Sequence, residues 1–476
     1  MRTQRPIPVP APPVAARHRR HRRRGIAAVM AMLYLLIFST LALGFYSAVT
    51  MAAQVAQNDE KSMGARVAAE SGMDFMRYQL SRVSMPGDTA HELVLGEIHR
   101  DLAAANGTSS NLGGRAIGLT ATTIEFPAGT DQYIRLDDKG TEFRATITDI
   151  GMGIVSVKVH GRYRGRLITR TVSLDFESAY KSLRLFDFGI VTRGPIDISG
   201  GGIIGGGQTA THGSILSMST QSTPISMSGT SGVAGDVYMT NPIGNVDISG
   251  GGVSIAGTTI PAVREEHIHR GVEPPEIPEV NSALFRPYAT NTYDRNASEH
   301  INVLIPPNTN PTFNSDATIK GVMYIQYPNK VTFNSKVVIR GTIVVENGAT
   351  PSRNNVISIA GGVEAYGMDT LPPDAQFPEG LRKLRGSTLL APGFHVSLGG
   401  TSGSIGGIML AHSFEFAGGS GGIIEGTFIG LGDVTMKFTG GASINRTKPP
   451  EDQIPAGLVF TKTFKPMPRT YRELTN

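Results

Sequence analysis

The chain has 476 residues, of which 58 are glycine and 29 proline, and it contains neither cysteine nor tryptophan. Without cysteine there is no disulfide, thiolate zinc site or cysteine nucleophile, so packing alone must stabilise any exported part. The formal charge of +5 comes from residues 1–24, which hold eight arginines and no acid; the rest of the chain has 36 basic against 39 acidic residues. A nucleic-acid partner is therefore not expected.

Residues 1–24 form a basic leader, which ends in the sequence RHRRHRRR. The next 34 residues, 25–58, carry no charge. As a helix they would be about 50 Å long, more than the ~30 Å hydrocarbon core of a bilayer requires. Positive flanks resist translocation, so the sequence predicts a single-pass membrane protein with a cytoplasmic N-terminus.

The helix is predicted to continue past the apolar segment, over residues 25–84, because no proline occurs between Gly25 and Pro86. Apolar and small residues recur there at spacings of three or four, which places them on one face of the helix. This stripe consists of Ala65, Ala68, Gly72, Met76, Leu80 and Val83.

The N-terminal region resembles the helix of type IV pilins and type II secretion pseudopilins, in particular PilX-type pilus assembly proteins and large minor pseudopilins. The resemblance rests on the basic residues before Gly25, the apolar run 26–49, the pair Asn58-Asp59 and the segment 68–72, AAESG. It covers only residues 20–83. It implies processing between Gly25 and Ile26 and partners in the inner membrane, other pilins or pseudopilins and the assembly platform. The residues it implies in helix and filament packing are Met30, Asn58, Asp59, Ala69, Glu70 and Gly72.

One residue departs from the family pattern. Most major pilins carry a glutamate at the fifth mature position, which here is Met30. In the family that glutamate is thought to neutralise the terminal ammonium of a neighbouring subunit, since an unpaired charge in lipid is costly. A chain without it resembles a tip or initiating subunit. The alternative is an uncleaved signal anchor; a cleaved secretory signal fits less well, because the apolar run exceeds an h-region of 7–15 residues.

Residues 85–185 are predicted to form an α+β, pilin-like sheet domain. A short helix is expected over His91–Ala105. Five later runs alternate apolar and polar residues and are rich in Ile, Val and Thr, which is typical of a half-buried antiparallel sheet. These runs are TTIEF, QYIRL, FRATITDI, IVSVKVHGRYRG and RLITRTVSLDFE. The sheet is expected to pack on the helix stripe.

Residues 186–465 contain internal repeats. Residues 312–325 align without gaps on 332–345, residues 404–410 match residues within 422–429 at a separation of nineteen, and DISGGG occurs at Asp197 and Asp247. A period near twenty indicates short units that stack on their own copies. Leucine-rich repeats are excluded because their L-x-x-L-x-L skeleton is missing. The sequence therefore predicts a right-handed β-helix, or β-solenoid, with Asn314 and Asn334 at left-handed corners.

Two segments are predicted to lie outside the repeats: a proline-rich excursion at 261–293 and a tail at 466–476. The excursion contains the weak metal candidates Glu265, His267 and His269, because His-x-His places both imidazoles on one side of a strand. A solvated charged loop is the favoured interpretation. No metal, cofactor or catalytic residue is therefore predicted.

The sequence as a whole predicts a membrane-anchored α+β protein acting as a non-enzymatic minor pilin or pseudopilin. It would initiate a type IV pilus or type II secretion filament, or present its β-solenoid for surface attachment. The bulk of the chain would be periplasmic or in a cell-surface filament, with a surface or polysaccharide ligand. The alternatives are a membrane-anchored β-helix enzyme acting on polysaccharide and an uncleaved adhesin.

Overall fold

A computed structural model describes residues 23–106, 112, 114–164, 168–206, 209–419, 421–447 and 454–474. The leader, apart from Arg23 and Arg24, lies outside the described residues. The described chain forms two compact units. The first takes in the chain up to Gln79, Leu102–Phe176 and the chain from Pro466; the second comprises Leu80–Asp101 and Glu177–Lys465. Both are discontinuous in sequence, whereas the sequence analysis assigned consecutive segments.

The longest element is an uninterrupted N-terminal helix of 60 residues. The α-helices are α1 (Arg23–Arg82), α2 (Val94–Asn106), α3 (Pro261–Glu266) and α4 (Glu379–Arg382). The 3-10 helices are His91–Leu93, Arg184–Asp187, Ala210–Gly213, Ser282–Leu284, Arg286–Tyr288, Met368–Thr370 and Pro468–Thr470. The helix expected over His91–Ala105 is thus present, with a 3-10 first turn.

An antiparallel sheet forms the β part of the first unit. The strands up to residue 180 are β1 (Met85–Pro86), β2 (Gly118–Leu119), β3 (Thr123–Phe126), β4 (Ile134–Arg135), β5 (Thr141–Gly151), β6 (Ile154–Tyr163) and β7 (Thr169–Tyr180). The order is β2-β3-β5-β6-β7, with β4 on β5. The pairings β2–β3, β3–β5, β4–β5 and β5–β6 are antiparallel, as predicted.

A small-residue face of α1 packs on this sheet. Ala65, Ala68 and Ala69 are fully buried. A Cβ added at Gly161 of β6 would lie 2.2 Å from both the Ala65 carbonyl oxygen and the Ala69 nitrogen. A Cβ at Gly72 would lie 2.6 Å from the Phe143 ring. The predicted stripe is confirmed as buried, and its first residues, Ala65, Ala68 and Gly72, are small because the helix backbone approaches the sheet closely there.

This close approach predicts that Gly161→Ala destabilises the packing of α1 on the sheet. The new methyl group meets main-chain atoms that cannot rotate away, and overpacking of this kind costs about 1–3 kcal/mol. Gly96→Ala in α2 is the control, because a Cβ there meets nothing within 4 Å and alanine favours an exposed helix by about 1 kcal/mol. Thermal unfolding of the full chain in detergent measures both. Equal stability of the two variants would contradict the packing described here.

The second unit is built mainly from parallel strands. The strands after residue 185 are β8 (Ile190–Thr192), β9 (Ile196–Ile198), β10 (Ile203–Gly206), β11 (Ile215–Ser217), β12 (Ile225–Ser228), β13 (Gly232–Val233), β14 (Val237–Met239), β15 (Val246–Ser249), β16 (Ser254–Ile255), β17 (Ile268–Arg270), β18 (Glu279–Val280), β19 (Asn291–Thr292), β20 (Glu299–Ile305), β21 (Thr312–Phe313), β22 (Ala317–Ile325), β23 (Asn329–Phe333), β24 (Val337–Val345), β25 (Asn355–Ile359), β26 (Val363–Tyr366), β27 (Ser387–Leu398), β28 (Thr401–Gly406), β29 (Ile408–Phe416), β30 (Gly421–Glu425), β31 (Phe428–Gly430), β32 (Met436–Phe438), β33 (Ser443–Thr447), β34 (Leu458–Val459), β35 (Thr461–Pro466) and β36 (Arg472–Leu474). Strands β8–β17 and β19–β33 make one sheet, called the parallel array here.

The sequence repeats pair with one another in register. Ala317–Ile325 pairs in parallel with Val337–Val345 residue for residue, at the predicted separation of twenty. Met409 pairs with Phe428, nineteen residues later. Asp197 and Asp247 flank Ser226 on successive strands, so the fifty-residue gap holds two repeats. The parallel pairing of the sequence repeats is therefore observed, while the β-helix and its handedness stay predictions.

Apolar side chains one repeat apart stack through the array. Phe313 lies on Phe333, and Phe416 on Phe438, each pair with ring centroids 4.5 Å apart, close to the 4.7–4.9 Å spacing of paired strands. The longest buried register line runs, in spatial order, through Ile268, Val237, Ile215, Ile190, Phe428, Met409, Leu389, Ile343, Met323 and Val303. Burying each such side chain contributes about 1.5–3 kcal/mol.

The chain enters this array in the middle. Ile190 of β8 pairs with Ile215 on one side and with Phe428 on the other. From β8 the chain winds to β17 at one end, continues at the other end with β19, and returns through β31–β33 to lie beside β8–β10. The first and last repeats are therefore neighbours, and we call the contact between them the seam.

Three details differ from the sequence analysis. The proline-rich excursion is shorter than 261–293, because Ile268–Arg270 pairs with Val237–Met239 within the array. The segment 466–476 contains β36, which pairs antiparallel with β7. Asn334 donates from its side chain to Asn314 at 2.7 Å, whereas the left-handed asparagines are Asn302, Asn308 and Asn310. In each case a short polar segment gave too weak a pattern for assignment.

A buried arginine joins the seam. Arg446 of β33 is 1% exposed. Its guanidinium donates to the carbonyl oxygens of Gly426 at 2.9 Å, His212 at 3.0 Å and Phe186 at 2.6 Å. Burial lowers the pKa of Arg446 to about 10, so it remains charged at neutral pH. One side chain thus connects the entry of the chain into the array with the last repeat.

We expect Arg446→Met to destabilise the array, because three main-chain acceptors lose their donor. Charge-assisted hydrogen bonds contribute about 1.5–3 kcal/mol each, so the loss should reach at least about 3 kcal/mol. Arg340→Met is the matched control: Arg340 is an exposed arginine of the same array, and little change is expected there. The urea unfolding transition of the array measures the difference. A wild-type transition for Arg446→Met would show that the seam does not need this arginine.

Candidate functional site

Helix α1 presents a long apolar surface that the rest of the described chain does not cover. From Ile26 to Val55 its large apolar side chains are exposed, for example Ile26 at 68% and Phe45 at 70%. By length and composition this helix could cross a membrane. The hydroxyl groups of Ser39 and Thr50 donate to carbonyl oxygens one turn earlier, each at 2.7 Å. Their polar groups are therefore satisfied within the helix, as an apolar environment requires.

The positions implied by the resemblance divide between the two halves of α1. Gly25 and Ile26 lie in its first turn, and Met30 follows Ile26 by four residues, on the same face of the helix and 48% exposed. Asn58 and Asp59 are exposed near its middle. Their proposed roles in processing and filament packing stay predictions.

The remaining implied positions contact the sheet or one another. Ala69 and Gly72 belong to the small-residue face described above. Glu70 accepts a hydrogen bond from Arg66 at 3.0 Å, one turn earlier. Asp59 and Glu70 both line a groove of about 410 Å³ that also contains Arg66 and Arg170. A charged groove thus begins where the bare apolar part of α1 ends.

A second site lies on the second unit, where β14 and β17 pair. Tyr238 and His269 are register partners, and their rings stack with centroids 4.6 Å apart. The Asp236 carboxylate is held by both histidines: Oδ1 lies 2.9 Å from His267 Nδ1, and Oδ2 lies 2.8 Å from His269 Nε2. The pairing of two strands therefore brings one carboxylate, two imidazoles and a phenol together.

The histidines set the charge state of the carboxylate. Burial on its own would raise the pKa of Asp236, but hydrogen bonds from His269 and His267 outweigh it and lower that pKa below its ordinary value. The Asp236 main-chain nitrogen also donates to Ser214 Oγ at 3.1 Å. Asp236 is therefore ionised at neutral pH and fixed in position.

A cavity of about 310 Å³ opens beside Asp236 and Tyr238. Its other lining residues come from two segments that precede β11, and they are Arg184, Asp187, Phe188, Thr211, His212 and Ser214. Phe188 meets Tyr238 edge to face at 5.2 Å. The cavity thus combines an aromatic wall with hydroxyl groups and with charged groups of both signs.

The Glu265–His267–His269 set considered from sequence does not assemble. Glu265 accepts a hydrogen bond from Arg270 at 2.6 Å, while the two histidines bind Asp236, 31 and 33 residues before them. Across the described ranges no group of three or more His, Asp or Glu side chains is arranged to hold a metal ion. Sequence reasoning missed Asp236 and Tyr238, because the paired strands Val237–Met239 and Ile268–Arg270 are 31 residues apart and fall outside the twenty-residue period.

No family model matches this chain, and no curated protein matches it. Among solved structures, the crystal structure of the competence-associated pilin ComZ from Thermus thermophilus matches with 12% sequence identity and a TM-score of 0.30. The match covers 87% of this chain and 97% of that one.

Proposed function

We propose that the chain is a non-enzymatic minor pilin-like or pseudopilin-like subunit of a type IV pilus or type II secretion filament. One observation carries the proposal: α1 is a single helix whose first half is bare and apolar, while its second half packs a small-residue face on an antiparallel sheet. The first half suits lipid before assembly and neighbouring helices afterwards. The second half anchors the helix to its own unit.

In this proposal residues 1–24 lie in the cytoplasm and α1 crosses the inner membrane. The sheet that follows packs on α1, and residues 186–465 wind as a right-handed β-helix that the filament or membrane presents outside the cytoplasm. The in-register parallel pairings one repeat apart support this winding. The partners are other pilins or pseudopilins and the assembly platform.

Met30 supports a position at the tip of the filament or at its initiation. A repeated subunit buries its N-terminal ammonium against neighbours, and without an acid on the helix that charge would be unpaired in an apolar environment. A subunit at the top of the filament meets water or headgroups instead, so the missing carboxylate costs little there. A unit as large as the parallel array also meets no steric limit at a filament end.

Processing tests the proposal. We expect the membrane-resident protein to begin at Ile26, because a prepilin peptidase would cut after Gly25. The variant Gly25→Leu should retain the leader and be absent from filaments. Gly44→Leu is the control, since Gly44 lies on the same helix and a Cβ added there meets nothing within 4 Å; this variant should be processed normally. The N-terminal mass of the purified protein is the measurement.

Retention of residues 1–24 on the wild-type, membrane-resident protein would remove the filament role. The chain would then be an uncleaved, membrane-anchored adhesin, which has the same units but does not enter a filament.

A further inference from the structure

We propose that the cavity beside Asp236 and Tyr238 binds neutral sugar residues of a polysaccharide. Binding itself is independent of the filament role, whereas its use in surface attachment rests on the proposed function. The site lies on the outer side of the array, because Tyr238 is half-buried between the buried residues Val237 and Met239. A ligand can therefore reach it without opening the core.

The size of the cavity limits the ligand. Its volume of about 310 Å³ is at the lower end of the ~300–1,000 Å³ that small-ligand sites span. That room suits one or two sugar rings of a longer chain. Because the cavity is open on one side, the rest of a polysaccharide could continue beyond it.

The lining selects for a neutral, hydroxyl-rich molecule. Asp187 and Asp236 repel an anion, Arg184 opposes a cation, and Thr211 and Ser214 add hydroxyl groups beside the aromatic wall. A sugar hydroxyl both donates and accepts, so it can bind the carboxylates and the guanidinium alike. Pyranose rings also present a face of C–H groups, which an aromatic side chain such as Tyr238 can contact.

The binding groups are held in place before a ligand arrives. His267 and His269 fix both oxygens of Asp236 at 2.9 and 2.8 Å, and His269 stacks on Tyr238. Oδ2 also accepts a hydrogen bond from the Tyr238 hydroxyl at 3.3 Å, whereas Oδ1 keeps a second lone pair for a ligand hydroxyl. Preorganisation of this kind lowers the entropy lost on binding. It also gives the two histidines a purpose as positioning residues rather than metal ligands.

The test is isothermal titration calorimetry of the full chain in detergent with maltohexaose, cellohexaose and mannohexaose, and with hexagalacturonate as the anionic comparison. We expect at least one neutral oligosaccharide to bind and hexagalacturonate not to bind. Asp236→Asn should weaken binding about tenfold or more, since a hydrogen bond to a charged group contributes about 1.5–3 kcal/mol. Asp247→Asn, an exposed carboxylate elsewhere in the array, should leave the affinity unchanged.

Arg184→Ala is a second variant of the cavity, used in case Asp236→Asn fails to fold. Because Arg184 is exposed, its truncation should weaken oligosaccharide binding and leave the thermal unfolding transition unchanged. Binding of none of the neutral oligosaccharides, binding of hexagalacturonate alone, or equal affinities of Asp236→Asn and Asp247→Asn would overturn the inference. Incorporation into filaments is measured in parallel. A chain that enters filaments but binds no sugar contradicts only this inference, whereas a chain that binds sugar but never enters filaments contradicts only the proposed function.

Discussion

In-register stacking of parallel strands one repeat apart is the constraint on which the second unit depends. Each repeat has an apolar side that no single repeat can bury, so its neighbours must present matching residues at the same register. Ile190 shows the consequence most clearly, because it lies between Ile215, one repeat later, and Phe428, 238 residues later. The first and last repeats cover each other's strands, so both runs of repeats depend on the contact at the seam.

The burial of an arginine at position 446 follows from that arrangement. Where two distant runs of chain meet, main-chain carbonyl groups from both sides need donors, and water cannot supply them in a buried seam. A guanidinium offers five donors in one planar group, and here it serves residues 186, 212 and 426 together. The arginine is buried because the geometry of the seam requires several donors at one point.

Sequence reasoning succeeded where a pattern repeats and failed where an interaction is unique. The twenty-residue alignment predicted the pairing of 317–325 with 337–345, because the same residues recur at the same positions. Small residues at helical spacing likewise predicted the buried face of α1. The seam had no such signal, since β8 and β31 differ in sequence, and an arginine in a strand is ordinarily exposed. Asp236 was missed because a lone acid has no recognisable spacing, and its histidines were assigned to an excursion that begins later than predicted.

The two units suit different tasks within the proposed function. The first holds a helix whose bare half requires lipid or neighbouring helices, and the second offers a broad, repetitive surface with a preorganised cavity. In the proposed function, a filament carries this chain at its end. Quantitative mass spectrometry and immunolabelling of sheared filaments test it most directly. We predict a few copies per filament with label at one end; an abundance comparable to the major subunit, with label along the whole length, would contradict the position at the tip.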